Sequence, residues 1–445
     1  VLDPLISTAG IEVIFSLTLH GLGAAEDVGL ADMIQGGFHR HHRDFRSGRS
    51  SATTNQRMGE HQPPKTLHAA DSSTEFKASV RALSHKGHGV VTHPDGRVFF
   101  VKGTWPEDVG IFRVSAKAKS YENAELVTLE SAAPERVTPE CAHVNTCGGC
   151  PWMMVTAAAQ VKAKEQRVTF LLDKNAIHVS DRRPLLPSPE FFGYRNRAQF
   201  KTDGQHIGYV SEGTNDLAPI EDCPILNPPM RELLQGLRAQ LPRAEWKPTG
   251  RFPWSFLDVD DQQDVKAVKA NLRRPFRQGN SAQNQNMKKW IVETLRDVPR
   301  ESPIVEAFCG SGNFTEVLAQ AGFTQILAAE VRGSAIEELS AKELPGVQIM
   351  EINMNDKKVW PQIARKQPKA RVLLVDPPRE GLEERLGIFK ALPLLEKIIY
   401  ISCEPTTWAR DMKDFQQHGW KVAHLTPLDM FPHTPHVELL TLLTR

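Results

Sequence analysis

Cys403 ends the apolar run IIYIS and is followed by Glu404 and Pro405. A thiol in such a place is either a small core side chain or a nucleophile. Glu438 heads the apolar run VELLTLL, where a carboxylate between Val437 and Leu439 is costly unless it is partnered or put to use. His433 and His436, just before it, are alternative bases by spacing alone. A thiolate with a base beside it suits addition to an electron-poor ring followed by proton removal and elimination.

A second group of residues reads as a cofactor pocket. The run IVEAF leads into CGSGNF (309–314) and then TEVLAQAG, a strand-to-helix turn in which Gly310 and Gly312 let backbone approach a ligand. About 20 residues later, ILAAEV brings in Glu330, whose carboxylate suits the two hydroxyls of a ribose. The third glycine of a dinucleotide fingerprint is missing, with Phe314 after Asn313. That pattern fits S-adenosylmethionine, which has one ribose and no phosphate, better than NAD. Asp376 closes VLLV and opens DPPREG, at the carboxyl edge where open α/β sheets bind ligands. A methyl sulfonium donor gives the thiol a specific use. Uracil carbon 5 is a poor nucleophile until a thiolate adds at carbon 6.

Cys141, Cys147 and Cys150 form a third group, with Cys223 after a turn. In a reducing compartment such a cluster reads as a metal site before a disulfide framework, and the spacing by itself places zinc first.

The elements that must position these groups follow from periodicity. Residues 1–75 carry no sustained period, and FHRHHRDFRSGRSSATTNQRMGEHQPPK is polar, so a disordered extension is expected there. The chain begins with Val, and Met58 lies just before the patterned part, which raises the hypothesis that the leading residues are not part of the functional protein. From 76 to 134, short alternating runs separated by KGHG, PDG and WPED predict a small antiparallel β-barrel, with Lys86, Lys102, Arg113, Lys117 and Lys119 as phosphate contacts or merely solvated charges. Residues 135–275 hold the cysteines, a helical run and a strand-rich stretch, and predict a metal-stapled domain. From 276 to 445 apolar strands alternate with helices, which predicts a doubly wound α/β domain.

Lys plus Arg (54) nearly cancel Asp plus Glu (53), so RNA would have to be met by local basic patches and not by overall charge. No apolar run reaches the roughly 20 residues that span a bilayer, and the first stretch is a poor signal peptide. A cytoplasmic protein without a membrane partner is expected.

Seven motifs, CAHVNTCGGC, GYRNRAQFK, FRQGN, EAFCGSGNFT, VDPPREG, YISCEP and DMFPHTPHVE, occur in that order between 141 and 438. They resemble the uracil-5 RNA methyltransferase family, specifically the branch with an N-terminal TRAM barrel and an iron–sulfur cluster. The resemblance implies a class I (Rossmann-like) methyltransferase domain, an OB-like TRAM barrel and a central iron–sulfur α+β domain. It implies Cys403 as nucleophile, Glu438 as proton acceptor, and cofactor contacts at Gln278, Phe308, Asn313, Glu330, Asn353 and Asp376. It also implies a [4Fe–4S] cluster on Cys141, Cys147, Cys150 and Cys223, with zinc as the alternative. Large-subunit ribosomal RNA is the substrate expected for this branch, and no obligate protein partner is expected. Transfer RNA, a cytosine-5 reaction, or an iron–sulfur RNA-binding protein without activity are the rival readings. Glu404 departs from the Asn usual after the nucleophile and is expected to oppose ionisation of the thiol.

Overall fold

A computed structural model of the chain describes residues 75–117, 122–211, 213–331 and 333–445. The chain divides into two units. One comprises Val1–Ala69 and Lys117–Tyr121, and apart from Lys117 it lies outside the described residues, as do the expected disordered extension and Lys119. The other, Ala70–Ala116 with Glu122–Arg445, carries everything described below.

Six short strands open this unit: β1 (Glu75–Ser79), β2 (Ala82–Leu83), β3 (Gly89–Thr92), β4 (Val98–Val101), β5 (Val109–Lys117) and β6 (Glu122–Ser131). They form one sheet in the order β1-β5-β6-β4-β3-β2. Alternate residues such as Phe76, Val91, Phe99, Val101 and Phe112 build its own small core, as the period of two dictates. Arg136 ties this sheet to the next segment by a bidentate pair with buried Asp108.

The middle of the chain contributes α1 (Ala157–Lys174), β7 (Val179–Arg182), β8 (Arg197–Thr202), β9 (Ile207–Val210), β10 (Leu217–Pro219), α2 (Pro228–Arg238) and β11 (Ser255–Asp260). Strands β10-β9-β8-β11 make a four-stranded antiparallel sheet. Its inner residues Ala198, Phe200, Leu257 and Val259 pack on Met230, Leu234 and Leu237 of α2.

The last third holds α3 (Ser281–Thr294), β12 (Ile304–Ala307), α4 (Asn313–Gln320), β13 (Ile326–Glu330), α5 (Gly333–Ser340), β14 (Val347–Glu351), α6 (Val359–Lys366), β15 (Val372–Val375), α7 (Arg385–Ala391), β16 (Lys397–Ser402), α8 (Pro405–Gln417), β17 (Lys421–Leu428) and β18 (Glu438–Thr444). The sheet order is β14-β13-β12-β15-β16-β18-β17-β7, with β14 to β16 parallel and β18 antiparallel to both neighbours. Strands buried on both faces read as unbroken apolar runs. Accordingly Val305, Leu373 and Ile398 face one core while Ile304, Val372, Leu374 and Ile399 face the other.

The boundary expected near 276 is not where this core divides. Val168, Leu171 and Leu172 of α1 with Ile177 and Leu185 pack into the C-terminal core, and β7 extends the large sheet parallel to β17. The apolar stripe of α1 needs a partner surface, and α8 supplies it.

Candidate active site

The strand order reverses between β12 and β15, so their carboxyl ends flank a crevice. Phe308 to Gly312 follow β12 and Asp376 follows β15. Cys403 follows β16 at once, half-buried. β18 runs back beside β16 with Ile401 opposite Leu440 and Ser402 opposite Leu439. One step further along the same register sets Cys403 against Glu438, the first residue of β18, which is buried. An antiparallel strand thus brings a carboxylate to the edge at which parallel strands end.

Three acidic groups share this edge. Burial pushes the Cys403 thiol up to about 12, and the nearby Glu438 and Asp376 carboxylates add to the effect while Arg379 opposes it. Burial raises Glu438 to about 8, with Asp376 contributing in the same direction and Arg379 against it. Asp376 itself is raised to about 7 by burial. A pocket in which one carboxylate raises the pKa of two acidic neighbours favours a positively charged occupant.

Glu404 accepts the Thr406 N–H at 3.2 Å as the cap of α8 and lies 3.3 Å from the Arg167 guanidinium. Its charge is therefore paired, although it still acts on the thiol in the expected direction. His433 is an unsuitable base. Its two ring nitrogens are taken up by Phe191 O at 2.9 Å and Gln160 Nε2 at 3.2 Å, and burial lowers its pKa to about 4. His436 is lowered to about 4 by burial and by Arg379 and Arg167.

On the cofactor side, Glu330 ends β13 and accepts the Gly310 N–H at 2.9 Å and the Val331 N–H at 2.7 Å. A Cβ added to Gly310 would meet no atom within 4 Å, whereas at Gly312 it would lie 2.3 Å from Leu339 Cδ1. The turn is thus open on its Gly310 side and packed on its Gly312 side. Phe308 holds φ at 62°, a left-handed conformation rare for an aromatic residue and typical of sites under functional constraint. Asn313 begins α4, and its amide exchanges hydrogen bonds with Asn284 of α3 at 3.0 and 2.9 Å. Asn353 is exposed one strand beyond Glu330, after β14, and its Oδ1 caps the Asn355 N–H. Gln278 is half-buried, with its carbonyl held by Asn196 at 3.1 Å. Sequence reading missed Glu306. This residue of β12 is buried, its Oε2 has no hydrogen-bond partner, and burial raises its pKa to about 8. A lone carboxylate inside IVEAF was the available signal.

A sequence model of the family described as tRNA (uracil-5-)-methyltransferase matches residues 256–445. An uncharacterized RNA methyltransferase of Nitrosomonas europaea is 44% identical over 374 residues, covering 82% of this chain and 95% of the relative. The chain belongs to the uracil-5 RNA methyltransferase family. Among solved structures, the tRNA (uracil-54, C5)-methyltransferase of Pyrococcus abyssi, in complex with S-adenosyl-L-homocysteine, superposes with a TM-score of 0.58 at 20% identity, over 83% of this chain and all of that one. At that identity the match shows the fold, that of a class I S-adenosylmethionine-dependent methyltransferase.

The cysteines of this family member lie close to the reacting edge. Cys141, Cys147, Cys150 and Cys223 line one cavity of about 330 Å³, bounded on another side by Arg379 and His436. All are free thiols. Burial raises Cys223 to about 11 and raises Cys147 and Cys150 as well, and neighbouring cysteines add to each. Among the described residues no three His, Cys, Asp or Glu side chains are gathered as the ligands of one metal ion. Four cysteine sulfurs around one cavity are a donor set of the kind that holds zinc or an iron–sulfur group when deprotonated.

Helix α1, also unread from the sequence as a functional element, grips the loop before Glu438. Gln160 accepts the His433 N–H at 2.7 Å, Lys164 donates to Asp429 at 2.5 Å and to Phe431 O at 3.1 Å, and Arg167 donates to Pro435 O at 2.9 Å. Positions 160, 164 and 167 share one helix face.

Proposed function

We propose that this protein methylates carbon 5 of a uridine in RNA, with large-subunit ribosomal RNA as its substrate. The observation that carries the reading is the register that sets Cys403 against Glu438 beside Asp376, at the crevice where the strand order reverses. Family membership supports the reaction class, and the geometry supports these residues for it.

S-adenosylmethionine, when bound, supplies an electrophilic methyl group. Glu330 and the open side of Gly310 suit its ribose, and Gln278, Phe308, Asn313, Asn353 and Asp376 would complete its contacts. Its cationic sulfonium suits a pocket in which Asp376 raises the pKa of both Glu438 and Cys403. The target base, stacked in folded RNA, must be extruded to reach this edge.

Cys403 loses its proton to the Asp376 carboxylate, whose pKa is held near neutrality, which leaves Glu438 ionised for the later step. Its Sγ forms a bond to carbon 6, which turns the ring into an enolate nucleophilic at carbon 5. After methylation Glu438 removes the carbon 5 proton, the ring double bond re-forms and the carbon–sulfur bond breaks. Arg379 offsets negative charge at both residues.

The cysteine cavity would hold a [4Fe–4S] cluster through Cys141, Cys147, Cys150 and Cys223. Sheet β1–β6 would serve as the RNA-gripping TRAM module. A sheet and a cysteine cavity that suit these two roles support ribosomal over transfer RNA, in a cytoplasmic enzyme.

Incubation with methyl-labelled S-adenosylmethionine and transcripts of large-subunit ribosomal RNA or transfer RNA, followed by nucleoside mass spectrometry, tests this. The expected product is 5-methyluridine in the ribosomal transcript. 5-Methyluridine confined to transfer RNA would overturn the substrate, and 5-methylcytidine or no product would overturn the reaction.

A further inference from the structure

The sheet β10-β9-β8-β11 buries one face on α2 and turns the other outward. On the outer face Lys201 of β8 stands opposite Phe256 of β11. Lys201 Nζ lies 4.5 Å from the ring centre of Trp254 and 5.5 Å from that of Phe256, and Arg273 Cζ lies 5.4 Å from Phe256. Trp254 is stacked on Phe252 at 4.8 Å with the planes 13° apart, and Phe252 is 49% exposed. Trp254 Nε1 donates to Asn215 O at 3.0 Å, which fixes the ring.

Three aromatic rings with two cations on a solvent face are the components of a single-strand binding surface, in which bases stack on rings and cations meet phosphates. The other basic residues of GYRNRAQFK are committed elsewhere. Arg197 is clamped by Asp258 and by the carbonyls of Arg274 and Pro275, and Arg195 lines the cysteine cavity with its guanidinium over Phe431. Strand β8 begins beside the reacting region, since Asn196 holds the carbonyl of Gln278. Five extended residues from Asn196 to Lys201 span roughly 16 Å, so the aromatic face lies within reach of an RNA strand whose target base sits in the crevice.

We propose that Phe252, Trp254 and Phe256, with Lys201 and Arg273, stack and hold unpaired bases of the substrate RNA flanking the target uridine. The proposal rests on the RNA-methylating reading and deepens it by naming single-stranded flanks as the recognised feature.

Equilibrium binding of the full chain to a 12-nucleotide single-stranded RNA of mixed sequence, and to the same strand in a duplex, tests it. Wild type is expected to prefer the single strand. Phe252→Ala with Trp254→Ala should weaken single-strand binding by about 10-fold or more while S-adenosylhomocysteine affinity stays within about twofold. Trp254→Phe should retain most of the affinity, and Lys201→Gln should lower the salt slope by about one. Single-strand affinity in the double variant within about twofold of wild type overturns the stacking surface, as does equal wild-type affinity for strand and duplex. Wild type that methylates no RNA overturns the reading underneath, a failure distinct from the loss of this surface alone.

Discussion

The guanidinium of Arg167 lies 3.3 Å from the carboxylate of Glu404, and its other arm donates to the carbonyl of Pro435 at 2.9 Å. One side chain of α1 thereby joins the residue after the thiol to the loop that delivers Glu438. Arg167 touches neither reacting group, so its part is positioning. Arg167→Met is expected to lower kcat by about 10- to 100-fold, as small displacements of reacting groups do, with cofactor affinity unchanged. Steady-state kinetics paired with cofactor titration checks this, and an unaltered kcat would exclude the role.

Lys164 and Asp429 form a fully buried ion pair, and Asp429 Oδ2 has no partner of its own. Removing one member leaves a charge stranded in the interior. Lys164→Met should therefore cost about 3–5 kcal/mol in denaturant unfolding, whereas Lys164→Met with Asp429→Leu should recover part of the loss. A double variant less stable than the single one would contradict this account.

Glu438 accepts a proton only as a carboxylate, and its pKa is raised to about 8 by burial and Asp376. Turnover should therefore rise with pH through about 8 and then level. Glu438→Gln should slow release by about 10²- to 10⁴-fold and leave protein bound to RNA through a denaturant-stable bond. A pH profile that is flat from 6 to 9 would remove Glu438 from the role.

Glu306 has a folded-state pKa near 8 against an ordinary value of 4.5. A raised carboxyl contributes stability that is complete below its unfolded pKa and is lost as pH rises through the folded value. The Tm should decline from about pH 5 to 8.5, and Glu306→Gln should flatten that decline by a few °C. Equal slopes in thermal melts of the two proteins would show that the buried carboxyl is compensated.

Four strands of the C-terminal sheet were legible because each is an apolar run that stops at a distinctive residue: Cys309 after IVEAF, Glu330 after ILAA, Asp376 after VLLV, Cys403 after IIYIS. Such endings are local patterns. What was not legible depends on contacts distant in the chain. The strand Val179–Arg182 is polar by sequence, and only pairing with β17 makes it part of the large sheet. Arg197 has no acidic neighbour in GYRNRAQFK, and the Asp258 that holds it lies 61 residues away. The partner that neutralises Glu404 lies 237 residues upstream.

In the proposed reaction Cys403 bonds to the uracil ring while Glu438 waits to take the carbon 5 proton. RNA containing 5-fluorouridine has no such proton, so elimination should stall after methyl transfer. Digestion and mass spectrometry of the stalled complex with S-adenosylmethionine should find the methylated fluoropyrimidine attached to the peptide holding Cys403, and no adduct in Cys403→Ala. An adduct on another residue, or turnover of ordinary RNA by Cys403→Ala, would remove Cys403 as the nucleophile.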